Sequence, residues 1–258
     1  MTDMITVLIP TYNHAAYIRE AIESVRDQSI FKSCRVIVSD DCSSDETVEI
    51  ARAAASNFPN ITVRQNPSNL GVMAHYRLLA SFVETPYTAI LEGDDYWHAP
   101  EKMELQKNLM DAHPGVGICF TACLVKDEAT GVSWHHPGWP INRHRVIQLL
   151  DMLTNNPIAT FSNCFYRANR FSESLAKNDV KGGYDWLLNM TLASNGGALF
   201  AARTCTSYRL HEKGTWTRMS QEEKRSGIVD SLLALRENVD RSFAPYIDAA
   251  IIRAKNER

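Results

Sequence analysis

The sequence predicts an α/β fold built on a mainly parallel sheet with helices packed against it. Continuous β-branched and apolar runs alternate with segments whose apolar residues recur at helical spacing, through the first hundred residues. The connections between them are short, and polar or acidic clusters follow the apolar runs. Strands covered on both faces by crossover helices read as unbroken hydrophobic runs rather than alternating ones, so a β-α-β-α-β-α-β order with right-handed crossovers is the economical arrangement.

Ile5 to Ile9 is the first such run and ends at Pro10. Ile18, Ala21, Ile22 and Val25 share one helical face, predicting a helix from about Ala15 to Gln28. Val36 to Val38 is a second strand, after which Ser43 and Glu46 read as a capping box opening a helix with Val48, Ala51 and Ala55 on its buried face. Ile61 to Val63 is a third strand, Tyr76, Leu79 and Val83 mark a helix, and Tyr87 to Leu91 is a fourth strand. Pro100 suits the first turn of a helix carrying Leu105, Leu109 and Ala112, which ends near His113-Pro114-Gly115. Ile118 to Val125 and Asn163 to Tyr166 read as strands, with a Trp-, His- and Pro-rich segment from Trp134 to Pro140 between them as a surface loop or lid. Asp185 to Asn195 reads as a helix, Leu199 to Ala202 and Ser207 to Leu210 as strands, and the chain from Ser220 onward as helix.

With 258 residues, 45% of them hydrophobic and 22% charged, the chain can bury a sizeable core, which excludes disorder and small disulfide scaffolds. Val116 to Val125, the longest mainly apolar stretch, falls far short of the ~20 residues of a spanning helix. Met1 to Met4 lacks the basic region of a secretory signal, so the expectation is a soluble, cytoplasmic protein. A net charge of -3 without a basic tract argues against nucleic acid as a partner. The six cysteines show no CxxC pairing and read as buried reduced thiols.

Ligands of open parallel sheets bind beyond the carboxyl ends of the strands. Three clusters fall there: Pro10-Thr11-Tyr12-Asn13, Ser39-Asp40-Asp41-Cys42-Ser43 and Glu92-Gly93-Asp94-Asp95. No Gly-rich phosphate loop accompanies them. Carboxylates alone repel phosphates, so this pattern suggests a nucleotide-diphosphate site that recruits a divalent cation. Asp40 and Asp45 read as turn and cap residues, and Asp94 with Asp95 as adjacent charges that need a cation.

The ordered segments Val7 to Asn13, Val36 to Thr47, Asn69-Leu70-Gly71-Val72 and Leu91 to Trp97 resemble the signatures of family-two glycosyltransferases. The likeness continues more loosely through Gly183 to Leu187 and Tyr208 to His211. It implies a GT-A fold and inverting transfer of a sugar from a nucleotide-diphosphate donor, assisted by Mn²⁺ or Mg²⁺. It implies donor contacts at Pro10, Thr11 and Tyr12, with Tyr12 and Asp41 at the base and Asp94 on the ribose side. It places the metal on Asp95, with His211 at a position that in some relatives ligates the metal or touches the diphosphate, and the general base at Asp185. Glu92 stands where Asp is commoner, Cys42 replaces a usual Gly or Asn, and His75-Tyr76-Arg77 replaces a frequent Ala-Arg-Asn, so no phosphate contact is carried over to Arg77.

The expected organisation is a nucleotide-sugar half at 1–98, an acceptor half at 99–218 and a helical segment at 219–258. The acceptor class implied is a glycan or lipid-linked glycan of a bacterial surface polysaccharide. A non-catalytic nucleotide-sugar-binding subunit and a sugar nucleotidyltransferase are the alternatives, the latter short of its basic Gly-rich loop. Trp97, Trp186 and Trp216 read as packing residues, although Trp216 could close over the donor, and His135-His136 as surface rather than zinc ligands. Ile228, Val229, Leu232, Leu235 and Val239 form an apolar stripe flanked by Lys224, Arg225, Arg236 and Arg241. Such a stripe packs on the catalytic domain or a partner subunit, or lies peripherally on a membrane.

Overall fold

A computed structural model describes residues 4–177 and 184–256. Its ten strands form a single sheet in the order β3-β2-β1-β4-β9-β6-β10-β5 along its main path. The first half is a parallel unit made of β1 (Ile5–Thr11), β2 (Cys34–Asp40), β3 (Ile61–Gln65) and β4 (Tyr87–Ile90). Every residue of β1 is buried, as expected of a central strand covered on both faces. The connecting helices are α1 (Ile18–Arg26), α2 (Thr47–Ala55) and α3 (Val72–Ala80). Ile18, Ala21, Ile22 and Val25 of α1 are buried as the spacing predicts.

The β1–β2 register sets Thr11 beside Asp40, so the first two polar clusters leave the sheet together. Beyond β4, Leu91 N–H donates to Leu8 O and Gly93 N–H to Pro10 O, which carries the acidic turn along the same edge. β5 (Tyr96–Trp97) and α4 (Lys102–Ala112) follow this turn. The chain then forms β6 (Ile118–Asp127), β7 (Ser133–His136), β8 (Arg145–Ile147), α5 (Leu149–Thr154), β9 (Cys164–Arg167) and α6 (Ala168–Lys177). After α7 (Tyr184–Ala193) and β10 (Ala198–Leu210) come α8 (Thr215–Arg218), α9 (Gln221–Asn238) and α10 (Ala244–Asn256). β9 runs antiparallel between β4 and β6, β10 lies parallel to β6, and β5 pairs antiparallel with Thr206 and Ser207 of β10. That last pairing brings the acidic turn against Tyr208 to His211.

Several elements differ from the sequence expectation. Ser43 and Glu46 form no capping box: α2 opens at Thr47, whose N–H donates to Asp45 Oδ1, while Ser43 N–H donates to Asp40 Oδ1 in an Asx-type turn. Cys42 adopts φ 66° despite its side chain, a conformation that costs a non-glycine residue roughly 1–2 kcal/mol. The two strands expected over 199–210 are one, because register shifts between Ala201 and Thr206 absorb the polar Arg203-Thr204 step without ending the ladder. Trp134 to His136 is part of β7, paired to β6, rather than loop. β8 and α5 are too short to show a period, whereas α6, not expected from the sequence, does place Ala168, Phe171 and Leu175 on one buried face.

The C-terminal segment is two helices, parted by the stretch around Asp240, rather than one. Its apolar stripe faces inward: Leu232 and Leu235 are buried in the core, and Ile228, Val229 and Val239 pack against it. Among the described residues, no helix is long and apolar enough to cross a membrane. Two apolar clusters flank the sheet, and both draw residues from either side of residue 98. None of the six cysteines forms a disulfide, and only Cys42 is partly exposed.

Lys102 is fully buried beneath the sheet, its Nζ donating to Gln106 Oε1 at 2.8 Å and lying 4.2 Å from the Trp97 ring centre. Desolvation lowers its pKa from 10.5 to about 8. The folded state therefore resists protonating it, and stability rises as pH climbs from about 8 to 10.5. In urea melts, wild type should gain roughly 3 kcal/mol relative to Lys102→Met across that window.

Candidate active site

The three strand-end clusters meet around Asp94 and Asp95. Asp95 is completely buried, and its carboxylate is filled by internal donors: Ser162 Oγ–H to Oδ2 at 2.6 Å and Arg209 N–H to Oδ1 at 3.0 Å, with Thr160 Oγ1 3.1 Å from Oδ2. Burial, followed by the charges of Asp94 and Glu92, pushes this carboxyl well above the ordinary range. Ser162 also accepts from Glu92 N–H, and its carbonyl accepts from Trp97 Nε1–H, so one short 3₁₀ turn (Phe161–Asn163) pins the whole acidic loop.

Asp94 faces the other way. Its Oδ2 lies 3.1 Å from His211 Nε2 and 3.4 Å from His14 Nε2. Burial alone would raise its pKa, but the two imidazoles hold it below the usual value. His14 is itself lowered, burial outweighing the attraction of Asp94. The Nδ1 atoms of both histidines, with Thr11 Oγ1 close by, are buried without a hydrogen-bond partner. A Cβ on Gly93 would sit 2.8 Å from Thr11 Oγ1 and 2.9 Å from His14 Nδ1, which explains a glycine between the two acidic positions.

Glu92 and Asp94 line a cavity of 1210 Å³ together with Asp185. Tyr76 Oη–H donates to Glu92 Oε1 at 3.2 Å, and Thr160 Oγ1 lies 2.7 Å from Oε2. A hydroxyl has one proton and cannot satisfy Glu92 and Asp95 as donor to both. Burial, then the charges of Asp94 and Asp185, raises Glu92 to about 7. Asp185 lies in the first turn of α7, and its carboxyl is raised by burial against the lowering effect of the helix N–H groups.

The remaining predicted residues stand around this centre. Asp41 is buried and accepts from Asn66 Nδ2–H and Leu70 N–H at Oδ1, and from Gly71 N–H at Oδ2. It thereby folds the loop into α3, whose first residues line the cavity. Tyr12 is exposed at the end of β1, while Pro10 and Thr11 are buried. Among the described residues, Pro10, Thr11, Tyr12, Asp41, Asp95 and His211 do not line the cavity, although His211 reaches it through Asp94. Gly183 lies outside the described residues.

Sequence reasoning missed His14, Thr160, Ser162 and Arg209. His14 directly follows the Tyr12-Asn13 signature, which was its only signal. Arg209 donates from Nη1 to Asp94 O at 2.6 Å and pairs with Glu20, tying β10 to α1. The unusual His75-Tyr76-Arg77 sequence is divided among three tasks: His75 contacts Ser39, Tyr76 holds Glu92, and Arg77 lines the cavity. Trp97 packs in the core, whereas Trp186 and Trp216 line the cavity. His135 and His136 are hydrogen-bonded to Thr204 and Asn156 O.

The family model described as Glycosyl transferase family 2 matches residues 6–175, more than half of the chain. The chain belongs to that family. Its family-two fold is shared by S. aureus TarS in complex with UDP-GlcNAc, at a TM-score of 0.76 and 19% identity over 98% of this chain and 72% of that one. The mannosyltransferase PcManGT from Pyrobaculum calidifontis, in complex with GDP-Man and Mn²⁺, matches at a TM-score of 0.68 and 17% identity over 99% of this chain and 74% of that one. An uncharacterised protein of Mycobacterium tuberculosis is 31% identical over 209 residues, covering 80% of this chain. The chain spans 58% of that relative's length.

Gly93→Ala should lower stability by roughly 1–3 kcal/mol, because Thr11 Cβ is backbone-fixed and cannot clear the new methyl group. Chemical denaturation measures the loss, and unchanged stability would show that the loop yields freely.

Proposed function

We infer that the chain is an inverting glycosyltransferase acting on a nucleotide-diphosphate sugar. The observation that carries this reading is the cavity wall formed by Glu92, Asp94 and Asp185, with Asp94 already bonded to His211. The shared fold with structures holding UDP-GlcNAc and GDP-Man supports a donor of that class.

The residues present fit a divalent ion. Asp94 offers a carboxylate oxygen with the Nε2 atoms of His211 and His14 at 3.1 and 3.4 Å, so an ion here would be held by Asp94 and His211 in place of their mutual hydrogen bond. Among the described residues, no group of three His, Cys, Asp or Glu side chains could hold an ion by itself, so the donor's own diphosphate must share the task. We therefore assign the metal to Asp94 and His211, and give Asp95, expected from the sequence to be the ligand, the task of holding the loop. When bound, the ion offsets negative charge on the departing diphosphate.

Asp185 takes the proton from the acceptor hydroxyl as that oxygen attacks the anomeric carbon. One displacement with a base on the acceptor side inverts the centre. Its raised pKa strengthens it as a base at the cost of requiring higher pH for ionisation. Tyr12, exposed at the strand end, and Asp41, which keeps acceptor capacity at Oδ2, hold the base, with Pro10 and Thr11 forming the turn behind them. With Asp94 given to the ion, we assign the ribose side, expected at Asp94 from the sequence, to Glu92 on the same cavity wall. The acceptor is a glycan or lipid-linked glycan, as in bacterial polysaccharide assembly. A sugar nucleotidyltransferase has less support, since the turn after β1 has no glycine to cradle a triphosphate.

Asp185→Asn should reduce turnover by roughly 10²–10⁴-fold while nucleoside-diphosphate affinity, followed by calorimetry, is retained. Near-normal turnover removes Asp185 as the base. In the wild type, kcat/KM should fall on the acid side with an apparent pKa above the ordinary 3.8, because the base works only when deprotonated and its pKa is raised.

Asp94→Asn should weaken Mn²⁺ binding by about tenfold or more in the presence of nucleoside diphosphate, read by electron paramagnetic resonance, whereas Asp95→Asn should leave it within about twofold. The reverse pattern returns the metal to Asp95.

A further inference from the structure

Lys102 opens α4 and is fully buried, yet among the described residues no carboxylate pairs with it. The titratable groups that face it are the thiols of Cys119, Cys164 and Cys205. Burial pushes its pKa down to about 8, so the folded chain holds this ammonium at a cost that an apolar side chain of similar length avoids. Its contacts show what that cost sustains.

Nζ–H donates to Gln106 Oε1 at 2.8 Å, which turns the amide so that Nε2–H donates to Asn163 O at 2.9 Å and Cys119 O at 3.1 Å. Without a donor at Oε1, the amide has an unpaired buried oxygen in either orientation. The same Nζ lies 4.2 Å from the centre of the Trp97 ring, whose Nε1–H donates to Ser162 O at 2.8 Å. Ser162 and Asn163 are successive residues of the 3₁₀ turn, so one ammonium orders a donor to each of two neighbouring carbonyls. From the other side of that turn, Ser162 Oγ–H donates to Asp95 Oδ2 at 2.6 Å and Oγ accepts from Glu92 N–H at 3.0 Å.

We propose that Lys102 is a positioning residue for the reaction centre: through Gln106 and Trp97 it fixes the 3₁₀ turn from beneath, and the turn fixes Asp95 and Glu92 so that Asp94 faces the cavity. This rests on the reading of the acidic loop as the donor site. The fold gives up stability at one core position for rigidity in a loop that must be held against the repulsion of its own carboxylates.

Hydrogen exchange of the full chain at pH 7, followed by NMR, tests this together with Mn²⁺ binding in the presence of UDP or GDP. The amides of Glu92 and Arg209 bond to Ser162 Oγ and Asp95 Oδ1, and in Lys102→Met they should exchange at least about tenfold faster while those of β1 stay as protected as in wild type. Mn²⁺, read by electron paramagnetic resonance, should bind about tenfold more weakly. Gln106→Leu should match both losses, and the double variant should add no more than about twofold, because the two side chains act in series. Gln106→Leu carries the test should Lys102→Met not fold. Met110→Ala, a cavity at the far end of α4, should lower stability yet leave Mn²⁺ affinity within about twofold.

Unchanged exchange at Glu92 and Arg209 overturns the proposal. So does an equal loss of β1 protection in Lys102→Met, or of Mn²⁺ affinity in Met110→Ala, since either marks a lysine that serves the core alone. Failure of wild type to bind Mn²⁺ with either nucleotide overturns the donor reading instead, and the exchange rates still decide whether Lys102 holds the loop.

Discussion

The site depends on one buried carboxylate. Asp95 receives a hydroxyl from the 3₁₀ turn before β9 and a backbone N–H from β10, and these elements are far apart in the chain. A buried carboxyl group is costly unless it is hydrogen-bonded, so the loop is stable chiefly in the arrangement that delivers those donors. That arrangement turns the neighbouring Asp94 outward to His211 and His14. The two adjacent aspartates therefore differ in role because successive side chains leave the backbone in different directions.

Protonation is divided among the carboxyl groups by the same means. Glu92 and Asp185 are raised by burial, whereas Asp94 is lowered by its imidazoles. Acid groups with separated pKa values in one cavity can divide binding and proton transfer between them. Neighbouring carboxylates in one cavity disfavour full ionisation, and the split relieves that repulsion.

Much of the fold was legible because the parallel half writes its strands as unbroken runs: Ile5 to Ile9 and Val36 to Val38 are buried on both faces. The acidic loop was equally visible, since polar clusters at strand ends have little structural reason to recur. Which of Asp94 and Asp95 faces the cavity was not, because Ser162 and Arg209, whose donors decide it, lie more than sixty residues away in the chain. β8 and α5 escaped notice because three- and six-residue elements are too short to show a period. The C-terminal stripe was readable as apolar, but only tertiary packing shows that it faces the core.

Asp41 clamps the loop that starts α3, and Tyr76, just over one turn into that nine-residue helix, holds Glu92. The helix thus ties the Asp41 loop to the acidic wall of the cavity. The chain enters that helix through Gly71, whose φ of 77° admits the sharp turn. Neither contact can shift without moving the helix that carries the other, so the Asp41 loop and the Glu92 carboxylate are mechanically joined.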